Sequence, residues 1–413
     1  MNWVFDAVVS YRACPKILTT LQRVCPSLCQ APVANTVQNW VLRIGLHELT
    51  RPKEQADDWV LLIDHTIQLG NQKCLVIVGI RLSHWKALAR PIRLSDLSMI
   101  LIEVVDTSNG TVVAEQLARA RALVGGVVGI VSDQGSDLTG GIALLEQNSL
   151  PEKPNAIGLT DMSHRAATAL KHVLEKDPNW KSFLAHCGTT QPKAKQTELG
   201  SLLPPKLKVK ARYMNLQTLL GWSERMLALL DQPAEQRPNA QRLGRLDEKF
   251  GWLLEYRQSI ARWSRLMSMV NTTLDHARRE GFAAGGAERL AGRLANEAID
   301  DQTKRFRDEV VEAMRSNIAK LPPGVSLPAS SEILESLIGK GKQLGGQHCR
   351  EGFTRNVLSM AATVASRDEA TIRESFRNVT TKKLSTWVDK QLGTTLTAFR
   401  RQVLPRSIGS DPA

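Results

Sequence analysis

The sequence has few cysteines, few aromatic residues and no long apolar run. Six cysteines in 413 residues are too few for a disulfide-scaffolded domain, and Cys25 and Cys29 lack a second ligand pair at zinc-finger spacing. No apolar stretch reaches the roughly 18–20 residues that a membrane-spanning helix needs. The first residues also lack the basic and apolar regions of a secretory signal. We therefore expect a reduced, cytoplasmic protein that does not reside in a membrane.

Positive charge is what the chain has in excess. It carries 54 Lys and Arg against 41 Asp and Glu, a formal net charge of +13 with His neutral. The hydrophobic share of 42% and the charged share of 23% are ordinary for folded domains and exclude wholesale disorder. The basic excess predicts a polyanionic partner. Because the basic residues follow no single amphipathic helix, nucleic acid is favoured over a membrane surface.

The first fifty residues have helical spacing in two segments, 17–24 and 34–45, separated by a proline-containing break. Gly45 is expected to end the second helix. Two helices with a short break resemble a helix-turn-helix, and a simple pair of packing helices fits equally well. In a DNA-binding element over 1–50, the groove-facing side chains would be Thr36, Gln38, Asn39 and Arg43.

Strand-like and helical segments alternate between residues 57 and 177. Apolar, β-branched runs predict strands at 59–69, 73–82, 97–105, 127–132 and 156–160, and helical spacing predicts helices at 111–123, 138–145 and 163–174. Gly70-Asn71 between the first two strands predicts a hairpin turn. The order β-β-β-α-β-α-β-α predicts an α/β fold, with a mixed five-stranded sheet and helices on its faces.

Beyond residue 178 the pattern becomes helical. Apolar residues recur at steps of three or four over 215–230, 240–279 and 287–319, which predicts three long helices. A lysine-rich connector over 191–212 contains Lys206, Lys208 and Lys210 and is either a phosphate-contacting arm or a solvated linker. We predict an all-α region over 178–328, a shorter helical segment over 329–360 and a C-terminal helical region over 361–413.

Acidic residues occupy unusual places in the predicted sheet. Asp64 lies in the middle of the first strand, on the same face as Val60 and Leu62. A buried carboxylate there needs a cation, a metal ion or water. Asp133 directly follows the fourth strand, at the strand end where α/β folds tend to place their sites.

Other acids at strand ends have an ordinary explanation as well as a functional one. Asp161 follows the fifth strand and has His164 three residues on. Asp161 and Asp137 could each cap the helix that follows, which is the commoner role of a single strand-end Asp. Asp64 cannot be explained as a cap, because it lies inside its strand.

The strand order with an acid in the first strand and another after the fourth resembles the ribonuclease-H-like core of DDE transposases and retroviral-type integrases. The resemblance implies a third acid on a late helix, for which Glu335 fits and Glu332 is the alternative. Lys342 follows Glu335 by seven residues, on the same helix face. This pair matches the tail of the Tyr-Arg-Glu-Lys signature of bacterial insertion-sequence transposases, whose Arg and Tyr are replaced here by Ser331 and Pro328.

Two further features extend the resemblance. The helical region between Asp133 and Glu335 is similar to the insertion domains of transposases of the hAT type. Asp161-Met-Ser-His164 resembles the Cys/Asp-x-x-His motif of those families. The chain thus looks like a bacterial insertion-sequence transposase, which implies DNA cleavage and strand transfer at the ends of a mobile element.

The resemblance also implies a metal and partners. Asp64, Asp133 and Glu335 would hold Mg²⁺ or Mn²⁺, with two ions the usual number in such phosphoryl chemistry. The partners would be the DNA of the transposon ends and the target, bound by a homodimer or larger assembly in the bacterial nucleoid. The expected DNA-binding residues are Asp161, His164, Lys340, Lys342, Thr36, Gln38, Arg43, Lys206, Lys208 and Lys210. Asp161 and His164 would either orient the active-site strand or contact DNA near the scissile phosphate. The alternatives are a ribonuclease-H-like nuclease without strand transfer, or a catalytically inactive DNA-binding protein.

Overall fold

The chain divides into two compact units. Unit 1 consists of Met1–Asp161 and Ser330–Ala413, and unit 2 consists of Met162–Ala329. The sequence pattern had placed these two boundaries at 177/178 and 328/329. The computed structural model describes residues 2–69, 72–147, 156–206, 216–237, 243–345, 354–393 and 403. In that part of the chain, no helix combines the length and the apolar character needed to cross a membrane.

Unit 1 contains a mixed five-stranded sheet, which confirms the predicted fold class. Its strands are β1 (Ala56–Leu69), β2 (Gln72–Arg81), β3 (Ser98–Val105), β4 (Gly125–Ser132) and β5 (Ile157–Thr160). Their order is β3-β2-β1-β4-β5. The pairs β1–β2 and β2–β3 are antiparallel, and β1–β4 and β4–β5 are parallel, as in a ribonuclease-H-like core. The predicted turn residues Gly70 and Asn71 lie outside the described residues.

The helices are numbered along the whole chain. They are α1 (Asn2–Asp6), α2 (Ala13–Val24), α3 (Ala34–Thr50), α4 (Leu82–Ala87), α5 (Gly110–Val124), α6 (Ser136–Gln147), α7 (Met162–Lys176), α8 (Pro178–Ala194), α9 (Leu216–Leu230), α10 (Leu246–Phe250), α11 (Arg257–Glu280), α12 (Gly286–Leu294), α13 (Asp301–Ile318), α14 (Glu332–Gly345), α15 (Leu358–Val364), α16 (Glu369–Asn378) and α17 (Thr381–Leu392). Helices α7 to α13 belong to unit 2 and the others to unit 1.

The alternation of side chains along β1 builds the core beneath the candidate site. Trp59, Leu61 and Ile63 point to one face and pack in a buried cluster with residues of α5 and α6, including Leu117 and Leu138. Burying each such side chain contributes about 1.5–3 kcal/mol. Leu62, on the opposite face of β1, is also fully buried, so Asp64 follows a segment that is apolar on both faces.

Helix α3 does not end at Gly45, contrary to the sequence-based prediction. It continues to Thr50, because Gly45 is a close-packing position and not a helix terminus. A Cβ atom at this position would overlap the backbone carbonyl oxygen of Leu358 in α15. The glycine therefore allows two helix backbones to approach each other, at the entropic cost of a glycine inside a helix.

The long helix predicted over 240–279 is interrupted. The structure has the short helix α10, a 3₁₀ segment over Gly251–Tyr256, and then α11. Phe250, Leu253 and Tyr256 are all buried and follow one another at steps of three. Because 3₁₀-helix has three residues per turn, this spacing keeps one apolar face through the interruption, and the sequence pattern does not reveal it.

The helix predicted over 287–319 is also two helices, α12 and α13. The Asp300 side chain accepts a hydrogen bond from the Thr303 backbone N–H at 2.9 Å, and the Thr303 hydroxyl accepts one from the Asp300 N–H at 3.1 Å. This reciprocal cap fixes a new helix start.

Candidate active site

Asp64 and Asp133 occupy neighbouring positions on two parallel strands. Strand β1 pairs with β4 so that Ile63 lies opposite Ser132. Asp64 follows Ile63 inside β1, and Asp133 follows Ser132 just after β4 ends. Adjacent strands are about 4.8 Å apart, so the two carboxyl groups emerge close together. The Gly135 N–H donates a hydrogen bond to Asp133 Oδ1 at 2.9 Å, which orients that carboxylate in the turn after β4.

The environment of Asp64 raises its pKa from 3.8 to about 7. The largest cause is burial, which penalises the charged form. The negative charge of Asp133 comes next, and Glu335 and Asp161 also raise the pKa, whereas a hydrogen bond from the His65 backbone lowers it. Three other carboxyl groups therefore act on Asp64 at this end of the sheet. Whether Asp64, Asp133 and Glu335 form a catalytic set stays a prediction.

Helix α14 carries Glu335 beside β1. The Lys342 Nζ atom donates a hydrogen bond to the Thr66 carbonyl oxygen at 3.3 Å, two residues beyond Asp64 on the same strand. Glu335 lies two turns earlier on that helix face and is exposed, whereas Glu332, the first residue of α14, is half-buried. The influence of Glu335 on the pKa of Asp64 favours Glu335 over Glu332 as the third acid.

Asp161 is buried, with only 4% of its surface exposed. Its Oδ2 atom accepts a hydrogen bond from the Ser331 hydroxyl at 2.9 Å. Its backbone N–H donates to the carbonyl oxygen of Ser132 at 2.8 Å. This burial is unfavourable for the direct DNA contact that the sequence suggested.

A polar cluster on the opposite face of β1 was missed by the sequence analysis. Asp137, in the first turn of α6, receives hydrogen bonds at Oδ2 from Lys73 at 2.7 Å and from the Ser108 hydroxyl at 2.8 Å. His65 Nδ1 lies 3.8 Å from the same oxygen. Burial alone would raise the pKa of Asp137, but these hydrogen bonds and positive charges together lower it.

The position of this cluster connects it to Asp133. A Cβ atom on Gly135 would lie 3.1 Å from both Asp133 Oδ1 and Asp137 Oδ1, so the two carboxyl groups flank the same glycine. The cluster thus ties the turn that carries Asp133 to β1 and β2. His65 is next to Asp64 in sequence, but only tertiary structure could identify Lys73 and Ser108 as its neighbours.

The donor set at the site consists of carboxylate oxygens, which suit hard cations such as Mg²⁺ and Mn²⁺. Over the described ranges, no three His, Cys, Asp or Glu residues are already arranged as a metal-binding cluster. The negative charges of Asp133 and Glu335 nevertheless make ionisation of Asp64 less favourable, which contributes to its raised pKa. A bound cation would relieve that cost.

The residues predicted to read a DNA groove make intramolecular contacts. Arg43 donates to the carbonyl oxygens of Val379 at 2.6 Å and Phe376 at 2.8 Å. Gln38 donates to the Asn356 side chain at 2.9 Å, and Thr36 is half-buried. A groove-reading role for α3 stays a prediction, and it would require the bonds of Arg43 and Gln38 to break.

The remaining predicted DNA-binding residues are spread over both units. His164, in the first turn of α7, and Lys206 are exposed in unit 2. Lys340 is half-buried in α14 of unit 1. Lys208 and Lys210 lie outside the described residues.

One solved structure to which the chain is similar is described as the Drosophila P element transposase strand transfer complex. The two share 12% sequence identity, the match covers 88% of this chain and 92% of that chain, and the TM-score is 0.42. No protein-family model matches the chain, and no curated protein matches it at a significant level. At this identity and TM-score the likeness does not inform the chemistry.

Proposed function

We propose that this protein is a transposase of the bacterial insertion-sequence type, which cleaves DNA and transfers the released strand through Asp64, Asp133 and Glu335. The observation that carries the proposal is the register of β1 and β4, which sets Asp64 beside Asp133, with the helix of Glu335 attached to β1 by Lys342. The raised pKa of Asp64, caused by burial and by the nearby charges of Asp133 and Glu335, supports it. A carboxyl group whose pKa is raised by burial and by neighbouring negative charges is typical of functional sites, including metal-dependent active sites. The ribonuclease-H-like sheet supplies the scaffold, because it sets Asp64, inside β1, beside Asp133, just after the end of the neighbouring β4.

These carboxylates are the residues that would hold divalent cations. When bound, divalent ions would activate the attacking oxygen of a phosphodiester displacement and stabilise the leaving one. Asp64, Asp133 and Glu335 are the residues that would hold them. Asp64 must lose its proton to bind a cation, so cation binding should release a proton near neutral pH.

The other residues at the site have orienting roles in this proposal. The Gly135 N–H hydrogen bond holds the Asp133 carboxylate, and Lys342 holds α14 against the strand that carries Asp64. Water is the first nucleophile, and the 3′-hydroxyl that it releases is the second. The three acids are negatively charged and do not attract phosphate groups. The excess of Lys and Arg in the chain must therefore bind the DNA backbone.

DNA binding should therefore be electrostatic in large part. We propose that Lys340 and Lys206 contact phosphates, together with Lys208 and Lys210, and that the protein acts on DNA as a dimer or larger assembly. Each neutralised phosphate releases counterions, so affinity should fall steeply with salt concentration.

The experiment uses the full chain, Mg²⁺, and linear DNA carrying the gene's own flanking sequences beside a target plasmid. A transposase is expected to nick the flanking DNA and join its 3′-hydroxyl ends to the plasmid. Asp64→Asn, which keeps the shape of the side chain, should abolish both steps and leave DNA binding intact. Cleavage without joining would support a nuclease instead. Binding without cleavage would support an inactive DNA-binding protein, and undiminished cleavage by Asp64→Asn would refute the site.

A further inference from the structure

The chain leaves unit 1 after Asp161 and returns to it at Ser330. The two chain segments of unit 1 are joined here by a side-chain hydrogen bond, which the Ser331 hydroxyl donates to Asp161 Oδ2 at 2.9 Å. Both residues are buried, with 4% of Asp161 and 6% of Ser331 exposed. A hydrogen bond to a buried carboxylate is among the stronger kinds, because water cannot replace either partner.

Asp161 is itself fixed to the sheet. Its backbone N–H donates to the carbonyl oxygen of Ser132, the last residue of β4, and Asp133 is the next residue. Ser331 directly precedes α14, whose first N–H, that of Glu332, donates to the Ser330 hydroxyl at 3.1 Å. The pair therefore links the strand that leads to Asp133 with the start of the helix that carries Glu335.

The far end of α14 is held separately. The Lys342 Nζ atom bonds to the Thr66 carbonyl oxygen, on the strand that carries Asp64. Between these two attachments, Leu334, Leu337 and Ile338 are buried on the inner side of the helix. Glu335 lies one turn beyond Ser331, so the Asp161–Ser331 bond holds the chain close to the turn of α14 that carries Glu335.

We propose that Asp161 and Ser331 are positioning residues, which hold α14 so that Glu335 reaches the cation site beside Asp64 and Asp133. This inference rests on the proposed function of those three acids. It assigns Asp161 to the orientation of the site and not to DNA contact. It also gives a role to Ser331, which occupies the position of the signature arginine. Removing the bond should loosen the start of α14 and lower the affinity of the site for divalent cations.

The test measures equilibrium Mn²⁺ binding by the full chain, together with Mn²⁺-dependent DNA cleavage. Ser331→Ala should weaken Mn²⁺ binding about tenfold or more, the usual effect of losing a residue that orients a metal ligand. Ser331→Thr keeps the hydroxyl and should restore most of the affinity. Ser331→Cys, nearly the same size but a weak donor, should weaken binding too and serves if the alanine variant does not fold.

A matched control separates positioning from general stability. Ser375 is also a fully buried serine of unit 1, and its hydroxyl donates to the Thr371 carbonyl oxygen at 2.7 Å within α16. Ser375→Ala should leave Mn²⁺ affinity unchanged, and the melting temperatures of the two alanine variants report any general loss of stability. Faster amide hydrogen exchange at the start of α14 in Ser331→Ala, and not in Ser375→Ala, would give independent support.

The possible results separate the positioning role of Ser331 from the proposed function of the three acids. If the wild-type chain binds Mn²⁺ and the Ser331 variants bind it equally well, the positioning role is refuted and the proposed function stands. If the wild-type chain neither binds Mn²⁺ nor cleaves DNA, the proposed function fails and this inference fails with it.

Discussion

Asp64→Asn should stabilise the folded protein, and the gain should grow as the pH rises. The difference between the ordinary pKa of 3.8 and about 7 corresponds to about 4 kcal/mol of preference for the neutral carboxyl group in the folded state. Because the folded protein holds this proton more tightly than the unfolded chain, the contribution of Asp64 is fully present below about pH 4. It is lost as the pH rises through about 7, the pKa in the folded state.

Asparagine has no ionisable side chain, so the stability of the Asp64→Asn variant does not fall as the pH rises through this range. At pH 5 the folded wild-type protein still keeps the proton, but the carboxyl group of the unfolded chain is largely ionised, so the variant should already be more stable by about 1.6 kcal/mol. At pH 8.5 the variant should be more stable by up to about 4 kcal/mol. Urea unfolding of both proteins in EDTA, followed by circular dichroism from pH 5 to 8.5, measures the difference directly.

Asp137→Asn is the matched control, since the pKa of Asp137 is shifted in the opposite direction to that of Asp64. The pKa of Asp137 is lowered by its bonds to Lys73 and Ser108, which outweigh its burial. Its contribution to stability is therefore present above pH 4 and lost only as the pH falls through the lowered pKa. Asp137→Asn should destabilise the protein throughout pH 5 to 8.5, without the gain that grows with pH in Asp64→Asn. A stability difference for Asp64→Asn that does not change with pH, or that reverses, would refute the electrostatic account of the site.

Three further substitutions test a close helix contact, a buried hydrogen bond and a helix cap. Gly45→Ala should lower the free energy of unfolding by about 1–3 kcal/mol or more, as overpacking does, because its Cβ would overlap the Leu358 carbonyl; thermal melting checks this. Trp263→Phe removes the indole N–H that donates to buried Asp177 Oδ2 at 2.9 Å and should cost about 1–3 kcal/mol, measured by urea unfolding. Asp300→Ala removes the cap of α13 and should cost about 1 kcal/mol, with faster amide exchange confined to the first turn of that helix.

The sheet was predictable from the sequence because each of its strands carries a local signal. Apolar β-branched runs predicted all five strands within a few residues, and alternation placed Asp64 opposite the face that packs on α5 and α6. The sequence put Asp64 inside one strand and Asp133 after another, but only the register of β1 and β4 in the structure shows that they lie side by side.

The errors come from features that depend on distant contacts. Gly45 resembles a helix end in sequence, and only the backbone of α15 shows why it is a glycine. The cluster of Lys73, Ser108 and Asp137 joins three segments that no local pattern connects. Helix α8 was missed, although Asp177 and Pro178 form an ordinary helix start, because a lysine-rich, proline-containing segment follows it.

The most direct test of the central claim is equilibrium Mn²⁺ binding by the full chain and by three variants, Asp64→Asn, Asp133→Asn and Glu335→Gln. If these acids form one cation site, the wild-type chain binds Mn²⁺ more tightly at pH 8 than at pH 6, because Asp64 must lose its proton. Each variant should then lose most of that affinity. Unchanged binding in all three variants would contradict the account.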